Sequence, residues 1–379
     1  MPKLSENALS IPPSGIRRIY EIAAQLDDII PLSIGEPELP VARHILDAGT
    51  RAWNDDVTNY TPNDGLALLR TAIATKLRRD NLYSVSGDQV HVTAGGAQAL
   101  HMAMSLTLAP GDEILIPDPG YATFAMTPRL VGAVPVPYPL TPDSGFQPDL
   151  AQLDQLITRR TRVLLINSPS NPLGVVYGPE LLRELLAFAA RHGLWVISDE
   201  VYEYFTYDSP YVSLASLDSD DRVFGVYSLS KTYALTGARV GYLVTPTGIA
   251  DTFRAAQESI VSCVNTPAQL AAVAALEGDQ SHVAAARERY RGNIKAASAL
   301  LDDQGIRYQR PAGAFYLWIN VSHASDGNVS AWAEKFLIEQ RVAVAPGVAF
   351  GAAGEGWIRV CVAGKIDPLL TALGRLPRP

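Results

Sequence analysis

Between residues 89 and 245, short apolar runs rich in β-branched residues alternate with longer amphipathic stretches, and this constrains the fold more than any other feature. The runs are QVHVT (89–93), EILIP (113–117), VPVPY (134–138), RVLLIN (162–167), LWVIS (194–198), RVFGVYS (222–228) and RVGYLVT (239–245). Helical patterns separate several of them: AQALHMAMSLTL (97–108), PELLRELLAFAARHG (179–193) and the stretch around 248–262. Strands that are apolar on both faces are those of a parallel sheet covered by helices, so the pattern predicts an α/β fold with a mostly parallel seven-stranded sheet. Gly111 and Gly193 fall where helices should stop.

The tail changes character. A long helical pattern (284–303) leads to GAFYLWINV (313–321), a helix SAWAEKFLIEQ (330–340), and short strands VAVA (342–345) and GWIRVCV (356–362). This predicts a smaller α+β domain. The N-terminal segment, with a helix at 14–25 and the turn-rich SIGEPELP (33–40), should pack on it. The expected division is a large domain at 46–275, and a small one made of 1–45 with 276–379.

Composition narrows the function classes. The net charge of −8 argues against a nucleic-acid partner, which needs a clustered basic face. No apolar run reaches 18 residues, and the first 20 residues lack a signal-peptide core. Two cysteines, Cys263 and Cys361, make no disulfide framework, and six histidines form no HExxH, so no metal site is expected. The simplest reading is a cytoplasmic protein. Only six of the 31 basic residues are lysines, which singles out any lysine in a chemical context.

Lys231 has such a context. SLSKTYALTGARVGYLV (228–244) places it just after a strand end, between Ser230 and the later Arg239. Open α/β sheets bind ligands at the C-terminal ends of strands. A desolvated lysine near other cations becomes a nucleophile able to form a Schiff base, or else it is a solvated surface residue. Ser228, Ser230 and Arg239 together suit a phosphate. In SDEVYEYF (198–205), Asp199 ends the strand LWVIS, where it can ion-pair with a protonated ring nitrogen or simply cap a helix. Tyr202, and Asn171 in NSPSNPLG (167–174), could reach a phenolate oxygen on such a ring. In VTAGGAQAL (92–100), two glycines open a helix whose first N–H groups can bind phosphate, although GxGxxG is absent. Tyr121, in IPDPGYATF, can stack on a ring or pack in the core. Arg359 interrupts an apolar strand, so it needs an anion, either a buried acid or a substrate carboxylate.

Taken together and in order, these stretches resemble the class I/II aminotransferase family of fold-type I pyridoxal-phosphate enzymes, over nearly the whole chain from SIGEPELP to WIRVCVA. By that resemblance the cofactor is pyridoxal 5′-phosphate and Lys231 is the lysine of the internal aldimine and the proton carrier. Asp199 is the ring-nitrogen partner, and Tyr202 and Asn171 hold the phenolic oxygen. Gly96, Ala97, Ser228, Ser230 and Arg239 form the phosphate cup, and Tyr121 stacks on the ring. Arg359, with the backbone at Gly35 and with Asn171, clamps the substrate α-carboxylate. Tyr60, in NYTPNDGLALLR (59–70), reaches the phosphate in a neighbouring subunit, implying a homodimer with shared sites. The implied reaction is ping-pong transfer of an amino group from an L-amino acid to a 2-oxo acid such as 2-oxoglutarate. In some relatives a lysine follows the two glycines. Ala97 stands there instead, and helix 97–108 holds no Lys or Arg, which favours neutral or aromatic donors and leaves aspartate open, since Arg17 or Arg18 could contribute a charge. A C–S lyase or related synthase of the same fold is the alternative. A non-catalytic regulatory relative would carry a DNA-binding domain, for which the roughly 30 residues before SIGEPELP leave no room.

Overall fold

The computed structural model describes residues 2–379. Its centre is a seven-stranded sheet built from β1 (Val90–Thr93), β2 (Glu113–Asp118), β3 (Val134–Pro139), β4 (Thr161–Asn167), β5 (Trp195–Asp199), β6 (Val223–Ser228) and β7 (Gly241–Val244). The spatial order is β1-β7-β6-β5-β4-β2-β3. β7 alone runs against its neighbours β1 and β6; the pairs from β6 across to β3 are parallel. The apolar runs of the inner strands are therefore buried on both faces, as the sequence pattern requires, whereas β3 is largely exposed or half-buried. β3 forms the edge. Its prolines at 135, 137 and 139 lack the N–H groups that would otherwise point outward, which blunts that edge against further pairing.

Helices cover both faces. Gly96–Thr107 begins directly after β1. Pro179–His192 ends at Gly193, whose φ of +64° turns its N–H back onto the carbonyls of Ala189 and Ala190. Helices Arg43–Asn54, Ala67–Asp80 and Thr266–Glu277 pack against one another beside β1 and β7.

A second, antiparallel sheet follows the order Ala345–Pro346, Trp357–Cys361, Tyr316–Asn320, Tyr308–Gln309. Helices Ser281–Asp303, Val329–Gln340 and Ile366–Gly374 share its apolar core. The stretch 342–345 differs from a single strand. Val342–Ala343 pairs in parallel with Ile30–Pro31, whereas Ala345–Pro346 joins Trp357–Cys361. The chain steps between two partners here, and Leu32 links both by donating to Ala343 and accepting from Cys361. This pairing brings the segment after helix Gly15–Ala23 onto the C-terminal part of the chain, where Arg18 meets Glu334 at 3.2 Å. No described helix is long and apolar enough to cross a membrane.

Candidate active site

Five of the large sheet's strand ends converge on one cavity of about 510 Å³. Every residue that the family resemblance assigns to the cofactor or the α-carboxylate lines it except Tyr60, which is 91% exposed; of Arg17 and Arg18 only Arg17 lines it.

β6 ends at Ser228, whose Oγ accepts from the Ser230 N–H at 3.2 Å and so starts the one-turn helix Leu229–Thr232. That turn presents Lys231. Its Nζ donates to the Gly35 carbonyl at 2.7 Å. Burial pushes the amine down to about 8; the Cys361 thiol opposes this, while Arg359 and Arg239 add to it. At the end of β5, Asp199 is buried and accepts from the Val201 N–H at 3.3 Å. Burial pushes its carboxyl up to about 7, although the Val201 N–H favours the anion. Among the described residues Asp199 has no ion-pair partner.

Arg239 lies across the start of helix Gly96–Thr107, donating to the carbonyls of Thr236 at 2.9 Å and Ala94 at 3.3 Å. Gly95 is required there: its φ is +79°, and a Cβ would come within 2.5 Å of Arg239 Nη2. The first N–H groups of that helix have no earlier turn to bond. With Ser228, Ser230 and Arg239 they make a cradle of donors suited to a dianion.

Arg359, on Trp357–Cys361, is buried and lies over the rings of Tyr316 and Phe350, 4.3 and 4.7 Å from their centroids. Its Nη1 donates to Asn171 Oδ1 at 2.9 Å and its Nη2 to the Ser33 carbonyl at 2.5 Å. Its Nε has no partner. Both acceptors are neutral and use only two of the five N–H donors, so the buried guanidinium keeps its Nε–H, one N–H on each Nη and a full charge for an anion. Asn171 is held in turn by Asn167, whose Oδ1 accepts its N–H at 2.9 Å. Tyr202 meets Tyr316 hydroxyl to hydroxyl at 2.7 Å, and burial raises both phenols above their usual range.

Several lining residues carry no sequence signal of their own. Asn167 and Tyr316 sit inside strands that read as structural, and Ile16, Arg17 and Tyr20 come from the N-terminal helix. No three His, Cys, Asp or Glu side chains among the described residues are placed to hold a metal. The donor set matches pyridoxal 5′-phosphate: a dianion cradle, a buried acid for a ring nitrogen, a lysine for a carbonyl, and an arginine Nε left for a carboxylate.

Comparison with known proteins agrees. The family described as aminotransferase class I and II matches residues 27–376. The chain is 36% identical to an aspartate aminotransferase of Pyrococcus abyssi, over 99% of this chain and 97% of that one. It is 34% identical to aromatic-amino-acid aminotransferase 2 of Thermococcus litoralis, with the same coverage. The solved structure of Thermus thermophilus aspartate aminotransferase with maleate superimposes with a TM-score of 0.94 at 34% identity, covering 99% of each chain. By sequence and by fold, the chain belongs to the class I and II aminotransferases, and it is an aminotransferase of the fold-type I architecture.

Proposed function

We propose that this aminotransferase binds pyridoxal 5′-phosphate in the cavity and moves an amino group from an L-amino acid to a 2-oxo acid such as 2-oxoglutarate, in two half-reactions that share Lys231. The observation that carries the reading is a lysine and an aspartate brought into one cavity with no ion-pair partner for either among the described residues, burial pushing the amine down to about 8 and the carboxyl up to about 7.

Bound pyridoxal 5′-phosphate supplies a carbonyl that an amine can engage and a pyridinium ring that accepts the electrons left when an α-carbon loses its proton. The chain's own residues do the rest. Asp199 supplies the anion at the ring nitrogen. Ser228, Ser230 and Arg239, with the backbone at Gly96 and Ala97, hold the phosphate, and Tyr121 covers a ring face. Tyr202 and Asn171 hold the phenolic oxygen. Arg359, with Asn171 and the Gly35 backbone, clamps the α-carboxylate and so orients the α-carbon. Lys231 Nζ takes the α-carbon proton and delivers it over a short distance, which its lowered pKa permits near neutral pH.

The wall around Ala97, Leu100 and Met126 is uncharged, which suits a neutral or aromatic donor. The relatives include enzymes named for aspartate and for aromatic amino acids, and one is seen with the dicarboxylate maleate. We assign residues 46–275 to a large cofactor-binding domain, and 1–45 with 276–379 to a small one. We place Tyr60 at the phosphate of a partner subunit in a homodimer. Its exposed ring lies on a segment held against the next helices, with the Asn59 carbonyl accepting from Thr266 and Asn63 donating to the Arg254 carbonyl. The two cysteines are free thiols, which suits the cytoplasm.

The test is a donor screen against 2-oxoglutarate that follows glutamate, with single-turnover spectra. Conversion of the cofactor to its amine form by the donor alone is expected. Release of pyruvate and ammonia instead would establish a lyase.

A further inference from the structure

Two loops that brace different parts of the cavity are tied to each other outside it. The first follows β2 and runs from Asp118 through Gly120 to Tyr121, which lines the cavity. The second, 347–354, leads from Ala345–Pro346 towards the strand that carries Arg359. Its neck is pinched, since a Cβ on Gly347 or on Gly354 would overlap the other's carbonyl. Its buried Phe350 supplies one of the two rings against Arg359 and meets Trp318 edge to face. The tie has two parts. The Gly120 N–H donates to the Phe350 carbonyl at 2.7 Å. The half-buried Asp118 carboxylate accepts from the Ala353 N–H at 3.2 Å. Gly351 permits that approach: its φ is +133°, and a Cβ there would overlap Asp118 Oδ1. Burial raises the Asp118 carboxyl above its usual range, and the Ala353 and Ala352 N–H groups oppose the rise by favouring the anion.

We propose that Asp118 is a positioning residue for amino transfer: clasped to loop 347–354, it sets the ring cover Tyr121 and the carboxylate clamp Arg359 as one unit. This rests on the aminotransferase reading of the cavity. Neither Asp118 nor Gly351 lines the cavity, so the pair acts through the residues it holds. A hydrogen bond to a charged acceptor is stronger than one between neutral groups, which suits it to fixing two loops that share no strand pairing at this point. The placement of Tyr121 and Arg359 is only as good as these supports. A planar guanidinium must meet a carboxylate along its fork, and an aromatic ring covers another only face on, so both tolerate little drift. Phe350 transmits the clasp to Arg359, because its carbonyl holds Gly120 while its ring lies against the guanidinium. Lys231 and Asp199 stand at the ends of β6 and β5 and do not depend on either loop. Opening the clasp should therefore weaken amino-acid binding and leave proton transfer in the saturated enzyme largely intact.

The test compares the parent holoenzyme with Asp118→Ala, Asp118→Asn, Gly351→Ala and the double variant Asp118→Ala/Gly351→Ala. Single-turnover conversion of the cofactor by glutamate and by phenylalanine gives a maximal rate and a half-saturating concentration for each. Asp118→Ala should raise the half-saturating concentration about tenfold and leave the maximal rate within about threefold of the parent. Asp118→Asn keeps a carbonyl acceptor for the Ala353 N–H and should stay within about threefold of the parent in both quantities. Gly351→Ala should match Asp118→Ala, since it fills the space that the carboxylate occupies. The double variant should be no worse than either single one, whereas independent effects would multiply to about 100-fold. A parental half-saturating concentration in Asp118→Ala, an Asn variant as impaired as the Ala variant, a multiplicative double variant, or a loss confined to the maximal rate overturns the proposal. If Asp118→Ala does not fold, Gly351→Ala against Asp118→Asn reads the same contrast. A parent whose cofactor neither donor converts overturns the aminotransferase reading, and the clasp's role with it; impairment seen in the variants alone bears on the clasp.

Discussion

Lys231 should destabilise the cofactor-free fold, and the size of that cost can be worked out. The amine titrates at about 8 in the folded chain against an ordinary 10.5. Between those values the unfolded chain holds a proton that the folded chain has released, so stability rises with pH across the window. Below pH 8 both states are protonated, and the folded state bears the full penalty of the buried charge. At about 1.4 kcal/mol per pH unit the difference comes to about 3 kcal/mol. The side chain is only partly buried, and water screens it, so about 1–3 kcal/mol is the range to expect. Lys231→Met keeps the length and removes the charge. It also removes the bond to the Gly35 carbonyl, which faces the cavity and can take a water instead. Urea unfolding of the cofactor-free proteins, at matched concentration, should therefore show the variant more stable than the parent at pH 7 by about 1–3 kcal/mol. The gain should be mostly gone by pH 10.5. A variant no more stable than the parent at pH 7, or one whose gain persists at pH 10.5, refutes the reasoning that burial holds this amine down.

Lys231→Ala should abolish turnover, and borohydride should fix the cofactor to the parent protein only; a fully active variant would refute the central assignment. Asp199→Ala should retain cofactor, read from its absorbance, but lose kcat by roughly 100- to 1000-fold; near-normal turnover counts against its role. The same carboxyl gives a pH prediction of opposite sign to that of Lys231. Its folded value of about 7 lies above the ordinary 3.8, so between these pH values the folded state binds more protons and stability falls as pH rises. Cofactor-free Asp199→Asn should accordingly exceed its parent in urea resistance at pH 7 but not at pH 4. Gly35→Ala would set a Cβ 1.9 Å from the Tyr316 hydroxyl, forcing apart the segment that also gives Ser33 to Arg359. The amino-acid KM should rise about tenfold, and a parental KM would show that this segment does not shape the substrate site.

Legibility in the sequence followed burial. RVLLIN, LWVIS and RVFGVYS announce β4, β5 and β6 because a strand covered on both faces has no polar side to blur it. Helix Thr266–Glu277 gives no periodic signal for the related reason that it is buried around most of its circumference. The pairing of Ile30–Pro31 with Val342–Ala343 joins residues too far apart, in strands too short, for any local pattern. Asp199 and Lys231 stand out because each follows an apolar strand at the edge where α/β sheets bind ligands. Tyr316 does not, since its meaning lies in the Tyr202 hydroxyl and the Arg359 face that tertiary packing brings to it. Lys76 shows the converse: nothing in its helix marks it, yet it is buried and paired with Glu203 at 2.5 Å and Asn81 at 2.7 Å.

The sequence left two explanations open for Arg359, and the comparison with Lys76 favours the substrate carboxylate. Lys76 is what a structural buried cation looks like: a carboxylate in contact, an amide as second acceptor and aromatic faces of Tyr204 and Tyr227 nearby. Arg359 has the amide and the aromatic faces but no carboxylate, and its Nε–H is bare. A fold selected only for stability would not keep an arginine in that state when its own core shows the satisfied alternative. The same asymmetry marks Asp199, buried with no ion-pair partner, and Lys231, half-buried beside two arginines. None of the three has an ion-pair partner in contact among the described residues, and each missing charge is one that a pyridinium, a phosphate or an amino-acid carboxylate carries. Ligands that bind the folded state alone should then stabilise this protein by more than their contact area suggests, because they also relieve buried charges that the chain does not balance.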